Sequence, residues 1–271
     1  MERLLRYIGC KNLDMITLMD FLGNIKTYCE PFGGSFNTGF KTAYERKDIR
    51  YIYNDAQPEI FNFWACAKED IFKLKTVIEH IYDALGSIEE LDDQIHFLIS
   101  NVRGRGKYAD AAVTYIMHEG RRFRRNVKQD DLRRRWEISP SAWFDYYGLM
   151  RDIEIYNLDY AEIIDRVDSE NTLLMLDPPY YVDMVDSYYL CSGETFYHRR
   201  LAEKLKTIKS KFILAYNNDG YISSLYEWCC QYRSFRTIFK NEIYITNFAI
   251  DEATMRTVLR AVNARDVARI E

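Results

Sequence analysis

The residues of this 271-residue chain best equipped for chemistry lie in LLMLDPPYYV, 173 to 182, where an apolar run ends in Asp177, Pro178, Pro179 and Tyr180. In open α/β sheets the ligand crevice lies at the carboxyl ends of the strands, and Asp177 falls at such an end. Proline fixes its own φ and restrains the residue before it, so the Asp-Pro-Pro backbone is stiff and its carbonyls point in set directions. Tyr180 then offers a flat π-face. An acceptor side chain, an acceptor carbonyl and a stacking ring together suit a planar base that carries an exocyclic amine. A lone Asp-Pro-Pro would read as a rigid turn with a capping acid; the full tetrapeptide after an apolar strand is a more specific signal.

A second group is YCEPFGGSF, 28 to 36, which contains Glu30, Pro31, Phe32, Gly33, Gly34 and Ser35. It reads as a strand, a glycine-containing turn and the start of a helix. In doubly wound folds such a turn lets a ligand approach the backbone beside the positive end of a helix. An acid about 20 residues further on commonly takes ribose hydroxyls, and Asp55 ends the next strand 21 positions after Gly34. An ordinary tight turn explains two glycines alone; with Asp55 at that place, nucleotide-like binding explains them better. The pattern GxxxxGK[ST] is absent, so nothing supports ATP hydrolysis.

These groups need a scaffold that presents strand ends on one edge. The segments 26–32, 49–55, 153–159, 172–177 and 211–217 read as short buried strands, and SFRTIFK with NEIYITNFAI reads as a hairpin. Helical patterns lie between them. In IFKLKTVIEHIYDAL, apolar residues at 71, 74, 77, 78, 81, 82 and 85 keep helical spacing. Pro58 and Pro140 stand where first-turn prolines belong. The alternation predicts an α/β fold with a mainly parallel sheet covered on both faces. The middle, 59–150, is helical without a convincing strand, and reads as an insertion between two halves, 1–58 and 151–271, of one sheet-bearing domain.

Net charge is −4, yet the stretch from Arg103 to Arg135 holds eleven Lys/Arg against four Asp/Glu, a local +7. That asymmetry implies one basic surface on an otherwise acidic protein. No run of about eighteen apolar residues spans a membrane, and MERLLRYIGCKNLD has no apolar core of a secretory signal. The six cysteines form no CxxC pair, and with four scattered histidines they give neither a metal site nor a disulfide framework. A reduced, cytoplasmic setting is expected.

At this point the chain resembles a known family, the Dam-type (alpha-group) DNA adenine-N6 methyltransferases, which use S-adenosylmethionine. RYIGCK (6 to 11) resembles the family's amino-terminal cofactor motif, with Cys10 where a second glycine is usual. EPFGGSF resembles its Glu-Pro-Phe-x-Gly-rich loop, with Phe36 where a third glycine often stands. YNDAQPEIFNFW resembles its Asn-Asp segment, and DPPY its catalytic tetrapeptide. ETFYHRRLAEKL, FILAYNND and EIYITNF are similar to its closing segments. The resemblance implies a Rossmann-like methyltransferase fold with a helical DNA-recognition insertion.

It also implies roles. Tyr7 and Lys11 would contact the amino-acid end of S-adenosylmethionine, while Glu30, Pro31, Phe32, Gly33, Gly34 and Ser35 line its pocket. Asp55 would hold the ribose, and Asp159 the adenine amine. Asp177 would touch both cofactor and target amine, with Tyr180 stacked on the extruded base. An adenine amino lone pair is delocalised into the ring; hydrogen bonds to Asp177 and the Pro178 carbonyl would localise and aim it, and positioning would do the rest. A base in duplex DNA must first leave the stack, at about a few kcal/mol. Arg103, Arg105, Lys107, Arg121, Arg122, Arg124 and Arg125 are the residues expected against double-stranded DNA, mainly at phosphates. A solvated helix face is the plain alternative for any one of them.

The expected setting is a bacterial or phage-infected cell, with a restriction endonuclease of the same system as a candidate partner. Rival readings are an amino methyltransferase acting on cytosine N4, RNA adenine or a protein amide, and a non-catalytic DNA-binding module. Asp before Pro-Pro-Tyr favours adenine. Retention of Asp55, Asp159 and Asp177 argues against a silent module, and the lack of a Pro-Cys motif argues against a C5-cytosine enzyme.

Overall fold

A computed structural model describes residues 3–5, 11–121, 140–181, 196–237, 240–260 and 267–270. The chain forms two compact units, one of Met1–Cys10 with Asp55–Asn157, the other of Lys11–Asn54 with Leu158–Glu271. The second unit opens with α1 (Met15–Leu22), β1 (Thr27–Glu30), α2 (Asn37–Glu45) and β2 (Arg50–Asn54). The first unit follows, with α3 (Pro58–Leu85), α4 (Leu91–Phe97), a π-helical turn (Leu98–Val102), α5 (Lys107–Arg121), α6 (Pro140–Asp152) and β3 (Ile153–Tyr156). The second unit then resumes with α7 (Tyr160–Val167), β4 (Thr172–Leu176), α8 (His198–Leu205), β5 (Lys211–Asn217), α9 (Gly220–Leu225), β6 (Cys230–Thr237), β7 (Lys240–Thr246), α10 (Glu252–Val258) and β8 (Val267–Ile270).

In the second unit the strands lie in the order β2-β1-β4-β5-β7-β6-β8. The first four are mutually parallel, with Thr27 opposite both Arg50 and Thr172, and Leu174 opposite Phe212. All five residues of β4 are buried, as expected of a parallel strand covered on both faces. Because β1 and β4 run in parallel register, Glu30 and Asp177 emerge on the same edge. At β5 the direction reverses: β7 is antiparallel to it, with Asn217 opposite Glu242. The amino end of β7 therefore meets the carboxyl end of β5, and Glu242 arrives on the edge where β4 delivers Asp177. The hairpin of β6 and β7 starts at Cys230, earlier than its sequence pattern indicates, and is irregular between Ser234 and Thr237.

In the first unit, α3 buries Ile71, Leu74, Ile78, Ile81, Tyr82 and Leu85, the face that apolar spacing marks. Asp70 breaks its regularity, with φ −157° and ψ 92°, and its carboxylate caps the Lys73 amide at 2.9 Å. Both α3 and α6 begin on proline, Pro58 and Pro140. Lys68 donates to the carbonyls of Met150 (2.6 Å) and Ile153 (2.7 Å), closing the carboxyl end of α6, where a cation also meets the favourable end of the helix dipole. No helix among the described residues is long and apolar enough to cross a membrane.

Candidate active site

The tetrapeptide follows directly on β4. Lys11 Nζ lies 3.2 Å from Asp177 Oδ1 and 3.1 Å from Glu242 Oε1. It also donates to the Tyr180 hydroxyl and sits 4.9 Å from the centroid of that ring. The Tyr180 hydroxyl in turn donates to Glu242 Oε1 (3.0 Å), and the Tyr244 hydroxyl to Glu242 Oε2 (2.8 Å). Lys11 is fixed from behind: its carbonyl accepts from Asn37 Nδ2 (2.9 Å) and Thr38 Oγ1 (3.1 Å), at the start of α2. The side chains of Lys11, Glu242 and Asp177 are 7%, 14% and 20% exposed, so Asp177 is the most open of the three.

Burial alone would lower the Lys11 pKa, but the carboxylates of Asp177 and Glu242 outweigh it and hold the ammonium above the ordinary lysine value. For Glu242 burial pushes upward, and Lys11 with the three hydrogen bonds brings the carboxyl below its usual range. Burial raises the Tyr180 phenol far above normal, so it stays protonated and donates. Asn217 Nδ2 donates to the Tyr181 carbonyl (2.8 Å), fixing the chain just after the tetrapeptide. The Tyr180 ring lies 6.1 Å from that of Tyr216, whose hydroxyl meets His198 Nδ1 at 2.8 Å.

Glu30, at the end of β1, accepts from the Tyr28 hydroxyl at 2.7 Å. Its carboxyl is pushed up to about 8, chiefly by burial and slightly by the charge of Asp177, against the hydrogen bonds from Tyr28 and the Gly39 amide. A folded pKa above the unfolded value means that the native state holds the proton more tightly. The stability this confers is complete below about pH 4.5 and is lost as pH rises through about 8, a difference of at most about 5 kcal/mol. Thermal unfolding of the wild-type chain should therefore shift to lower temperature between pH 5 and pH 9, and Glu30→Gln should remove most of that slope. A variant with the wild-type slope would contradict the assignment.

The loop after Glu30 is held by close backbone contact. The Gly33 amide donates to the Asn54 carbonyl at 2.7 Å. A Cβ on Gly33 would lie 2.3 Å from the Tyr53 ring and 2.9 Å from that carbonyl. Asn54 clamps the loop from the other side, donating to the carbonyls of Pro31 (2.9 Å) and Leu158 (3.0 Å) and accepting from the Leu158 amide (2.9 Å). Gly34 has φ 48° and Phe36 φ 49°. A phenylalanine in the left-handed region is strained, but its buried ring packs edge-on against Phe40 (5.1 Å) and Tyr53 (5.5 Å). Gly39 makes room for that ring: a Cβ there would lie 2.3 Å from it. Ser35 is buried within this turn.

Phe32 is only partly buried, its ring 5.3 Å from Tyr160 and 5.7 Å from Phe196. Next to it, Asp159 caps α7 through the Ala161 amide (2.9 Å) and is gripped by both terminal nitrogens of Arg200 (2.9 and 3.1 Å). The Arg200 guanidinium also stacks 5.1 Å from the Tyr160 ring centroid. In the first unit, Asp55 is buried, its Oδ1 accepting the Gln57 amide (2.8 Å) and its carbonyl Asn157 Nδ2 (2.7 Å). Tyr7 lies outside the described residues.

Among the basic candidates, Arg103 and Arg105 are exposed on a turn whose Gly104 (φ 81°) and Gly106 (φ 125°) need backbone angles that side chains rarely adopt. Lys107 is also exposed but pairs with Glu69. Arg121 ends α5; its side chain, and all of Arg122, Arg124 and Arg125, lie outside the described residues.

The structure thus brings Lys11, Asp177 and Tyr180 into one network, with Glu30 within electrostatic reach of Asp177. Sequence reasoning gave no role to Glu242, Asn54 or Arg200. A charged residue entering the apolar strand IYIT was the available signal for Glu242, and an asparagine closing the buried RYIYN for Asn54.

The family described as D12 class N6 adenine-specific DNA methyltransferase matches residues 7–246. A stretch of 83 residues, 31% of the chain, is 29% identical to the type II methyltransferase M.CviBI of Paramecium bursaria Chlorella virus NC1A, and spans 32% of that protein's length.

Proposed function

The chain belongs to the D12 class of N6 adenine-specific DNA methyltransferases, and on that premise we propose that it transfers a methyl group from S-adenosylmethionine to N6 of adenine in duplex DNA, with the target base turned out of the helix. The observation that carries this reading is the stiff Asp177-Pro178-Pro179-Tyr180 segment at the end of β4, with the acid held by Lys11 and the ring held by Glu242. The side chains present suit the cofactor. Asp177, the most open acid of the network, would face its cationic sulfur and ammonium, Lys11 would meet its carboxylate, and the buried Glu30 with the close-packed turn at Gly33 and Gly34 would form the floor of its pocket. Phe32, Pro31, Ser35 and Asp159 would complete the set in this unit, and Asp55 and Tyr7 keep the cofactor roles that the family resemblance implies.

When bound, S-adenosylmethionine supplies an electrophilic methyl on a positively charged sulfur. The chain's own residues prepare the nucleophile. Asp177 and the Pro178 carbonyl accept the two N–H groups of the amine, so its lone pair points away from the ring plane. Tyr180, kept protonated, stacks on the base. The cofactor would give up its carbon–sulfur bond for the new bond to N6, and the partly exposed Asp177 would take the surplus amine proton toward solvent. Orientation of this kind can contribute about 7–11 kcal/mol.

Affinity for DNA comes from the helical segment 59–150 through Arg103, Arg105, Lys107, Arg121, Arg122, Arg124 and Arg125. Lys107 has to exchange Glu69 for phosphate. The reading sets the protein in the cytoplasm of a bacterial or phage-infected cell, with a restriction endonuclease as the partner such a role would have. Incubating the purified chain with methyl-labelled S-adenosylmethionine and duplex DNA, then digesting to nucleosides, tests it. Label in N6-methyldeoxyadenosine is expected; label in N4-methyldeoxycytidine, or in no nucleoside, overturns it.

A further inference from the structure

We propose that Glu242 is a positioning residue for the transfer step: it shares the Lys11 ammonium with Asp177, so that Asp177 remains able to accept an amine, and it anchors the Tyr180 ring that receives the base. The inference rests on the methyl-transfer reading of the same site.

The distances carry it. Lys11 Nζ is 3.2 Å from Asp177 and 3.1 Å from Glu242, so the one cation is divided almost evenly between two carboxylates. An ammonium resting wholly on Asp177 would compete for the oxygens that must accept the N–H groups of a neutral amine, and a charged donor wins that competition. Glu242 prevents this collapse by offering an equal alternative. It is itself held at both oxygens: Oε1 takes Lys11 and the Tyr180 hydroxyl, while Oε2 takes the Tyr244 hydroxyl at 2.8 Å. Both phenols are donors here, so only an anion or amide at this place can hold them.

The fold explains why position 242 serves. Alternation along β7 puts Glu242, Tyr244 and Thr246 on one face, and Ile243 and Ile245 on the other. The antiparallel register with β5, Asn217 opposite Glu242, delivers that acid to the edge where β4 ends. A buried carboxylate is costly unless paired and hydrogen-bonded, and this one makes three such bonds.

The test uses the full chain with DNA from a methylation-free bacterium as substrate. Glu242→Gln keeps the size and an acceptor for Tyr180 but surrenders the charge that shares Lys11. Its turnover at saturating cofactor should fall about ten- to a hundredfold, as for a misplaced reacting group. In a Lys11→Gln background the same substitution should cost less than about threefold, because the competing cation is gone. Losses that multiply, or unchanged turnover in Glu242→Gln, overturn the proposal. Should Glu242→Gln not fold, Tyr244→Phe, which only frees Oε2, should still lower turnover and leave the thermal midpoint within about 4 °C; unchanged turnover there overturns the proposal equally. A crystal structure of Glu242→Gln gives an arm independent of activity: Lys11 should rest on Asp177 alone, and an unmoved Lys11 would overturn the proposal. A wild-type chain that methylates no DNA would instead remove the methyl-transfer reading, while that crystal would still decide whether Glu242 positions Lys11.

Discussion

Alanine at position 177 is expected to lower methyl transfer by about a thousandfold or more while leaving the chain folded. Removing one preorganised hydrogen-bonding group from a reaction centre costs about a hundred- to a thousandfold, and the proposed mechanism gives Asp177 a second task, facing the cationic methyl donor. The fold should survive. Asp177 follows the last residue of β4 rather than sitting within it, and its side chain is among the more open of the site. Lys11 would keep Glu242 as its counter-ion, so no buried charge is left unpaired. Circular dichroism and the thermal midpoint should stay close to wild type as labelled methyl incorporation disappears. Substantial activity in Asp177→Ala would contradict the assignment.

Gly33→Ala should be the most damaging of the small substitutions. The added methyl would stand 2.9 Å from the Asn54 backbone oxygen and 2.3 Å from the Tyr53 ring. The ring could turn aside, but the carbonyl cannot: the Gly33 amide is bonded to it at 2.7 Å, and the Asn54 side chain ties the same place to Pro31 and Leu158. The loop must lift away from β2. Overpacking of this sort costs about 1–3 kcal/mol. Because Phe32 belongs to this loop and Glu30 leads into it, and both are proposed to line the cofactor pocket, cofactor affinity should fall roughly tenfold or more, a loss of about 1.4 kcal/mol in binding. Urea unfolding and calorimetric titration with S-adenosylmethionine would show both. A variant of wild-type stability and affinity would mean that the turn tolerates a side chain.

Much of this arrangement was legible in the residues, for a physical reason. Buried parallel strands must be apolar along their whole length, so TLLML and FILAY stand out, and a stiff polar tetrapeptide directly after one of them marks a strand end. The 3.6-residue spacing of α3 is a local property, so its buried face from Ile71 to Leu85 is legible in the residues alone. What escaped was long-range. Glu242 meets Asp177 only because β7 runs antiparallel to β5 in one register, and no pattern within 240–246 encodes which acid lies across the edge. The Lys11 ammonium also lies between two of the protein's own carboxylates, a pairing across more than 160 positions of sequence that no local pattern shows. The grip of Arg200 on Asp159 was invisible for the same cause. Phe36 looked like a departure from a glycine-rich loop; the accommodation comes from Gly39, one turn further on, whose missing side chain admits the ring. The short β8 gave no warning in a polar carboxyl-terminal stretch.

If the Asp177 notch directs a methyl group onto adenine N6 in DNA, the mark must appear in living cells and vanish when that acid is removed. The most direct test is to express the wild-type chain and Asp177→Ala in a bacterium that lacks DNA methylation and to read modified bases across the genome. N6-methyladenine confined to one short recurring motif is expected with the wild-type chain, and none with the variant. Genomes left unmodified by both, or a mark that persists with Asp177→Ala, would contradict it.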